Sequence, residues 1–317
     1  MKSLKAYFEL VRLPNVFTAM ADAFAGYWLV AAQLRSSELL RSWQSLWSWQ
    51  LLCLVAASAF FYAAGIILND VRDIETDRRE RPQRPLPSGR IPKRQAVLIA
   101  TGISIIAVML ACAAGFVGEV TDSDYILPGK LRPGLVGVLL LATIIAYNFL
   151  FKGTLSGLVF MGLCRGLNLL MAMSVGWWFT DLGGLFFIIA LIYYVASLTY
   201  FGFEEARRST KFRLATGGFG IITAVLLLGT LVLPAMVSDN FLMILWFAFL
   251  VLLSRRIHRA IKDPSPRQVQ YAMKTFILGI VVFDAILASA TAGWIAGVCV
   301  LGLLVPTLLI GRWIYST

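Results

Sequence analysis

The sequence predicts an all-α protein, a polytopic membrane bundle of nine or ten transmembrane helices. Two observations lead to this fold class. Of the 317 residues, 59% are hydrophobic and only 14% are charged, and about ten apolar runs are long enough to span a bilayer. Ordinary soluble domains are about 45–50% apolar and about 25% charged, so most soluble folds are excluded. Because hydrocarbon offers no partner to a backbone amide, runs of this length must be helices rather than strands.

The predicted spans follow one another along the chain. Their approximate bounds are 14–34, 50–69, 95–118, 133–151, 155–179, 183–203, 214–236, 240–254, 269–290 and 293–312. No change in composition divides these runs into separate units, so residues 1–317 are predicted to form a single integral membrane domain.

Basic residues give the chain a net charge of +11. When the spans alternate across the bilayer, most of the 28 lysines and arginines fall on the side that carries the N-terminus. Because basic loops are retained in the cytoplasm, the N-terminus and the loops on its side are predicted to be cytoplasmic. This topology accounts for the basic excess, so a lipid bilayer is the predicted environment and no nucleic-acid partner is expected.

Four oxygen-bearing side chains follow the second predicted span, and they are Asn69, Asp70, Asp73 and Asp77. At about 100° per residue they fall on one face of a helix. Three carboxylates on one face repel each other near a membrane, so the pattern indicates a bound cation. Hard oxygen ligands suit Mg²⁺, which keeps positions open for substrate phosphates. The alternative is a solvated helix end, because arginines are interleaved with the acids.

A basic segment, residues 81–90, comes shortly after the acids. It contains three prolines and a glycine, which predict a rigid non-helical loop. Arg81 and Arg84 stand close to the acids in sequence, and a guanidinium group can bind phosphate oxygens through two hydrogen bonds. Acids for a metal beside arginines for phosphate predict a magnesium-diphosphate site. The alternative is a basic loop that serves only membrane topology.

These segments resemble a known family. The run 69–77, followed by Arg-Pro-Leu-Pro-Ser-Gly at 84–89, resembles the first aspartate-rich motif and the following loop of the UbiA superfamily of intramembrane prenyltransferases. The segments 12–15 and 147–152 are also similar to that family. The resemblance extends over the first nine spans in order, and the tenth run is additional.

The resemblance implies that the helices surround a central cavity and that the protein is a prenyltransferase. Mg²⁺ would neutralise an isoprenyl diphosphate and help it leave, and an aromatic or other electron-rich hydrophobic acceptor would take the allylic carbocation. A diphosphate cannot depart into a low-dielectric cavity uncompensated, and metal with arginine supplies the compensation. Carried over to this sequence, the catalytic residues are Asp70, Asp73 and Asp77, and the substrate contacts include Asn15, Arg81, Arg84, Tyr147 and Lys152.

The family's second acidic motif, expected in the loop after the sixth span, is altered in this chain. Glu204 and Glu205 stand where aspartates would repeat, and Arg207 and Lys211 follow them. Either a glutamate binds a second metal alone, or the cations bind the diphosphate instead, or transferase chemistry has been lost. The last alternative is a non-catalytic membrane protein that binds or moves an isoprenoid or lipid metabolite. This loop and the tenth run resemble the EboC-type branch of the superfamily.

Four ionisable residues lie within predicted spans, and they are Asp22, Arg165, Lys274 and Asp284. A charge at this depth is costly, so each is expected to face a cavity or a partner. Arg165 and Asn168 share a helix face at a spacing of three residues, and we expect them to line the acceptor pocket. The alternative is an internal hydrogen bond or a position near a span end, which is favoured for Lys274 and Asp284.

Overall fold

The computed structural model describes residues 2–34, 48–117, 128–176, 182–203 and 208–313. Those residues form helices joined by turns, and no β-strand occurs among them. In chain order the helices are α1 (Lys2–Leu10), α2 (Leu13–Leu34), α3 (Trp49–Arg72), α4 (Ile74–Glu80), α5 (Lys93–Val117), α6 (Arg132–Ala146), α7 (Leu155–Met173), α8 (Leu182–Phe201), α9 (Lys211–Ser238), α10 (Asn240–Lys262), α11 (Pro266–Ala292), α12 (Trp294–Gly302) and α13 (Leu304–Ile310). A 3₁₀ turn at Gly129–Leu131 leads into α6, and a π-helical turn at Tyr147–Phe151 follows it.

Within these described ranges, eight helices are long and apolar enough to cross a membrane. They are α3, α5, α6 with its flanking turns, and α7 to α11. The 22-residue helix α2 coincides with the first predicted span. The predicted all-α membrane bundle is therefore confirmed as a fold class.

The tenth predicted span is not one continuous helix. Its residues form the short helices α12 and α13, which are separated at Leu303. Pro306 lies in the first turn of α13, where it cannot donate a backbone hydrogen bond to the carbonyl of Gly302. The proline therefore interrupts the helix, and the described residues do not provide a tenth uninterrupted span.

Helix α2 lies at the centre of the bundle, where it contacts α3, α7, α11 and α13. Large side chains such as Trp28, Phe61 and Phe276 are fully buried in one continuous apolar core. The outer faces of the bundle are also apolar, with Met109 57% exposed and Phe219 71% exposed. Helices that are apolar on both their packed and their outer faces are expected in a lipid environment.

A smaller apolar cluster fixes the end of α3 that carries the predicted acids. Leu10 of α1, Ile67 of α3 and Ala96 of α5 are buried together with Leu86 and Ile91 of the loop between α4 and α5. Because α1, this loop and α5 all pack against the same end of α3, the loop that contains Arg84 is held beside the acids.

Helices α2 and α7 approach each other closely at Gly26. A Cβ atom at this position would lie 2.4 Å from the backbone oxygen of Leu169 in α7. The close approach accompanies hydrogen bonds from Arg165 and Asn168 of α7 to Asp22 of α2. Glycine is therefore required at position 26 so that α2 and α7 pack closely enough to form these hydrogen bonds.

Gly26→Ala is expected to lower the free energy of unfolding by about 1–3 kcal/mol, because the added methyl group forces α2 away from a backbone atom of α7. The measurement is thermal unfolding of the purified protein in detergent. Gly102→Ala is the matched control, since a Cβ atom there meets nothing within 4 Å and alanine favours the helix. Equal unfolding temperatures for the two variants would contradict the close packing at Gly26.

Candidate functional site

The predicted acids lie where α3 passes into α4 through a bend at Asp73. Asp73 has φ −88° and ψ 4°, which interrupts the regular helix. The Asp73 N–H nevertheless donates to the Asn69 carbonyl at 3.0 Å, and the Asp77 N–H donates to the Asp73 carbonyl at 2.8 Å. These two bonds link the end of α3 to the start of α4 across the bend, so the oxygen-bearing side chains stay at the same end of α3.

Asp70 and Asp77 form one charged group with two arginines. Arg84 Nη1 donates to Asp77 Oδ2 at 2.7 Å and lies 3.6 Å from Asp70 Oδ1. Arg12 Nη2 donates to the same Asp70 oxygen at 2.9 Å. Asp70, Asp77 and Arg84 are all buried, so two carboxylates are balanced by two guanidinium groups in poorly solvated surroundings.

Asn69 and Asp73 form a second group around Lys152. The Lys152 ammonium donates to Asn69 Oδ1 at 2.5 Å and forms a very short contact with Asp73 Oδ2. Lys152 follows the π-helical turn directly, and Gly153 next to it has a left-handed φ of 83° that ends the turn. Burial lowers the pKa of Lys152 below its usual value, whereas the hydrogen bond and the charge of Asp73 oppose that shift.

The structure therefore brings the four predicted metal ligands to one helix end but divides them between two sets of cations. Among the residues that the structure describes, no three His, Cys, Asp or Glu side chains come close enough to hold a metal ion by themselves. Mg²⁺ is usually bound by one or two carboxylates together with substrate phosphates. The oxygen donors present fit that mode of binding.

The basic loop between α4 and α5 is a series of tight turns, as predicted. Its backbone is hydrogen-bonded within the loop, for example from the Ser88 N–H to the Arg84 carbonyl at 3.0 Å, and Gly89 has a left-handed φ of 73°. Arg90 fixes the loop to α1 because it donates to Glu9 at 2.7 Å and to the Gln83 carbonyl at 2.6 Å. Arg81 follows the last residue of α4, and its backbone N–H donates to the Asp77 carbonyl.

An apolar cavity of about 110 Å³ lies within the bundle and reaches Asn69, the residue next to Asp70. Its lining is mainly apolar, and four of the predicted site residues contribute polar atoms to it: Asn69, Tyr147, Arg165 and Asn168. Asp70, next to Asn69, instead borders a pocket of about 430 Å³, which is also lined by Arg12 of the turn between α1 and α2 and by Arg84 and Arg90 of the basic loop. The end of α3 thus separates an apolar cavity from a basic pocket.

Arg165 and Asn168 line the apolar cavity and are also held by hydrogen bonds within the bundle. Arg165 donates to Asp22 Oδ2 at 2.8 Å and to the hydroxyl of Thr18 at 2.7 Å. Asn168 donates to the same Asp22 oxygen at 2.9 Å. The guanidinium of Arg165 also lies over the ring of Tyr62, 5.4 Å from its centroid. Both expectations for Arg165, a cavity position and an internal hydrogen bond, are therefore met at once.

Several predicted site residues lie away from the two charged groups at the end of α3 or outside the described residues. Asn15 borders a small pocket near Lys274, and it hydrogen-bonds to Tyr62. Lys211 is an exposed residue at the start of α9. Glu204, Glu205 and Arg207 lie outside the described residues.

Sequence reasoning did not identify Arg12 as a partner of the acids. Arg12 is 58 residues from Asp70, and no local pattern reports such a contact. Its left-handed φ of 46° is unusual for a residue other than glycine and costs about 1–2 kcal/mol. The conformation places the turn between α1 and α2 so that the guanidinium reaches Asp70. Arg90 was missed for a similar reason, because its partner Glu9 is 81 residues away.

Fold and site together define a multi-pass helical membrane protein with paired acids and cations at the mouth of an apolar cavity. Residues 20–280 match the profile of the UbiA prenyltransferase family. The chain belongs to this family, which confirms the resemblance found in the sequence.

The chain is similar in sequence to several digeranylgeranylglyceryl phosphate synthases. The chain is 35% identical over 158 residues to the one from Sulfurisphaera tokodaii, which is 48% of this chain and 52% of that protein. It is 34% identical over 161 residues to the one from Sulfolobus acidocaldarius, 49% of this chain and 54% of that protein. The chain therefore spans about half the length of the curated relatives it matches.

Two solved structures have the same fold. One comes from a study of the biosynthesis of digeranylgeranylglyceryl phosphate synthase in membranes, with a TM-score of 0.60, 19% identity, and coverage of 92% of this chain and 99% of that one. The other is a UbiA homolog from Archaeoglobus fulgidus bound to DMAPP and Mg²⁺, with a TM-score of 0.50, 17% identity, and coverage of 93% and 99%. At these identities the similarity establishes the fold.

Arg84→Met is expected to lower the free energy of unfolding by about 3 kcal/mol, because it leaves the buried Asp77 carboxylate without its cation. Thermal unfolding in detergent measures the effect. Arg78→Met is the matched control: its ion pair with Glu75 has the same 2.7 Å distance but is exposed, so the loss should stay below about 1 kcal/mol.

Adding Asp77→Asn to the Arg84→Met variant should restore part of the lost stability, because the unpaired charge is removed. If the double variant is no more stable than Arg84→Met alone, charge compensation is not the function of Arg84.

Proposed function

We propose that this chain transfers an isoprenyl group from an isoprenyl diphosphate to a hydrophobic acceptor within the membrane. The observation that carries the proposal is the cluster of acids and cations at the mouth of an apolar cavity. The diphosphate head and the isoprenyl tail of such a donor require these two environments side by side.

The cations of the site are suited to receive a diphosphate. Arg12, Arg84 and Lys152 are each held by a carboxylate, so they are positioned before any substrate arrives. Arg84 Nη2 is buried and has no hydrogen-bond partner within the described ranges, which leaves a donor available for a phosphate oxygen. Phosphate oxygens accept charge-assisted hydrogen bonds from these groups more strongly than neutral acceptors do.

The acids are suited to a divalent metal once the cations turn toward phosphate. Asp70, Asp73 and Asp77, with the amide oxygen of Asn69, would hold Mg²⁺ together with the diphosphate. When bound, Mg²⁺ supplies positive charge that stabilises the departing diphosphate. The protein's own contribution is to fix these oxygens at the end of α3 and to exclude water with the buried loop around Arg84.

The apolar cavity is suited to the isoprenyl tail. Its lining includes Phe61 and Tyr62 of α3 and Tyr147 of the π-helical turn after α6. Aromatic faces attract a cation electrostatically, so they can stabilise an allylic carbocation without capturing it. Asn69 and Tyr147 line the cavity at its charged end and would direct the reacting carbon of the donor toward the acceptor.

The acceptor would enter the part of the cavity that Arg165 and Asn168 line. The names of the related proteins make a glyceryl phosphate lipid with one isoprenyl chain the first acceptor to test. An aromatic acceptor is the second. Because the basic residues cluster on the side of the N-terminus, we also propose that the site opens to the cytoplasm.

A second candidate function is binding or transport of an isoprenoid or lipid metabolite without transfer. It is favoured by the sequence Glu204-Glu205, which lacks the aspartate repeat of the family's second motif. Geranylgeranyl diphosphate that binds tightly in the presence of Mg²⁺, with no pyrophosphate released for any acceptor tested, would favour this function over transfer.

Asp73→Asn and Asp77→Asn are each expected to lower kcat/KM for pyrophosphate release by at least about 100-fold, because each removes charge that holds the metal and the diphosphate. The measurement is pyrophosphate release from geranylgeranyl diphosphate with and without Mg²⁺. Glu75→Gln is the control, since Glu75 is exposed and pairs only with Arg78 on the surface. Undiminished release by the two aspartate variants would refute the assignment, provided that they unfold at the wild-type temperature.

A further inference from the structure

Two carboxyl groups and one guanidinium group are enclosed within the bundle, away from the acids at the end of α3. Asp22 of α2 and Asp284 of α11 have no solvent exposure, and Arg165 of α7 is 8% exposed. All three lie inside helices that are long and apolar. With both acids ionised, this buried group would carry a net negative charge.

The hydrogen bonds of the group leave three carboxyl oxygens without a donor. Asp22 Oδ2 accepts from Arg165 and from Asn168. Asp22 Oδ1 and both oxygens of Asp284 are buried and have no hydrogen-bond partner among the residues that the structure describes. The side chains of Asp22 and Asp284 nevertheless lie within hydrogen-bond reach of each other. Buried acceptors without donors are strongly disfavoured, so the region lacks at least one hydrogen atom.

The neighbouring donors cannot supply it. Tyr194 of α8 faces Asp284, but its hydroxyl donates to the Phe276 carbonyl at 2.9 Å. The Thr18 hydroxyl donates to the Asn15 carbonyl at 2.7 Å. Both hydrogens of the Asn168 amide are used, one on Asp22 and one on the Ala19 carbonyl.

The remaining titratable neighbour is Tyr62 of α3, which lies beside Arg165 and hydrogen-bonds to Asn15. Tyr62 does not supply the donor either, since both oxygens of Asp284 are without a partner in the described part of the chain.

We propose that Asp22 and Asp284 bind one proton between them and form a proton-binding site in the interior of the bundle. One proton supplies the missing donor between the two carboxyl groups. It also leaves one negative charge, which Arg165 balances, so the group becomes neutral. A neutral group is far less costly than an ionised one at this depth.

The shared proton ties three helices together and sets the charge beside the apolar cavity. Asp22 holds Arg165 and Asn168, both of which line that cavity, and Asp284 connects α11 to the same group. Loss of the proton would place an unbalanced negative charge next to these residues. The site does not depend on the proposed transfer reaction, so either can fail without the other.

Infrared spectroscopy of the purified full chain in detergent at neutral pH tests the proton directly. The wild-type protein should show the C=O stretch of a protonated carboxyl group in an apolar environment, and the band should shift in D₂O. Asp284→Asn should lose the band. Asp263→Asn, which removes an exposed acid at the end of α10, should keep it. Absence of the band in the wild-type protein would overturn the proposal.

Thermal unfolding as a function of pH provides the second test. Carboxyl groups of the unfolded chain ionise near about pH 4, so above that pH the folded protein holds one more proton than the unfolded chain. The equilibrium constant for folding should therefore fall as the pH rises, by about tenfold per pH unit, until the pair ionises. Asp284→Asn should remove this dependence, because an amide mimics the protonated acid but does not titrate. Its unfolding temperature should match that of the wild type near about pH 4 and exceed it at neutral pH.

Asp22→Asn is the contrasting variant, because it removes the carboxylate that holds Arg165. It should unfold at a clearly lower temperature than Asp284→Asn. Equal destabilisation by the two variants would indicate an ionised Asp284 and overturn the proposal. Stability that depends on sodium at constant ionic strength but not on pH would overturn it in favour of a metal cation.

Discussion

Charge compensation at the end of α3 is the constraint on which the rest of the site depends. Three carboxylates emerge there from a membrane-spanning helix, and they are tolerated because cations from distant segments reach them. Arg12 comes from the turn after α1, Arg84 from the loop before α5, and Lys152 from the turn before α7. These contacts fasten the short helix, the basic loop and the π-helical turn to the same helix end.

Buried carboxyl groups must also be compensated in the interior of the bundle, where a different set of groups balances the charge. At the end of α3, the acids are balanced by the long side chains of Arg12, Arg84 and Lys152. Deep in the bundle, two acids meet one arginine, and the remaining balance falls to a proton. The apolar cavity lies between the two groups, bordered by Asn69 and Tyr147 toward one and by Arg165 and Asn168 toward the other.

Packing of small residues makes the interior group possible. Gly26 lets α2 approach the backbone of α7, and Gly162 and Gly166 of α7 lie against Ile192 of α8. Without these close approaches the side chains of Asp22 and Arg165 would not meet at 2.8 Å in the buried interior. The polar network and the tight helix packing are therefore two parts of one arrangement, since each unpaired charge would be prohibitive in an apolar bundle.

The sequence by itself determined the features that follow from local physics. Apolar runs predict helices because a backbone in lipid must pair within its own segment, and the prolines of residues 81–90 predict a loop because they cannot donate hydrogen bonds. The acids at 69–77 were found because helical spacing is local as well. Only the tertiary structure decided which charge meets which: Asp70 pairs with a residue 58 positions away, Asp73 with one 79 away, and Asp22 with one 143 away. Those pairings depend on how the helices pack, and the periodicity of a single segment contains no information about the helix that will lie beside it.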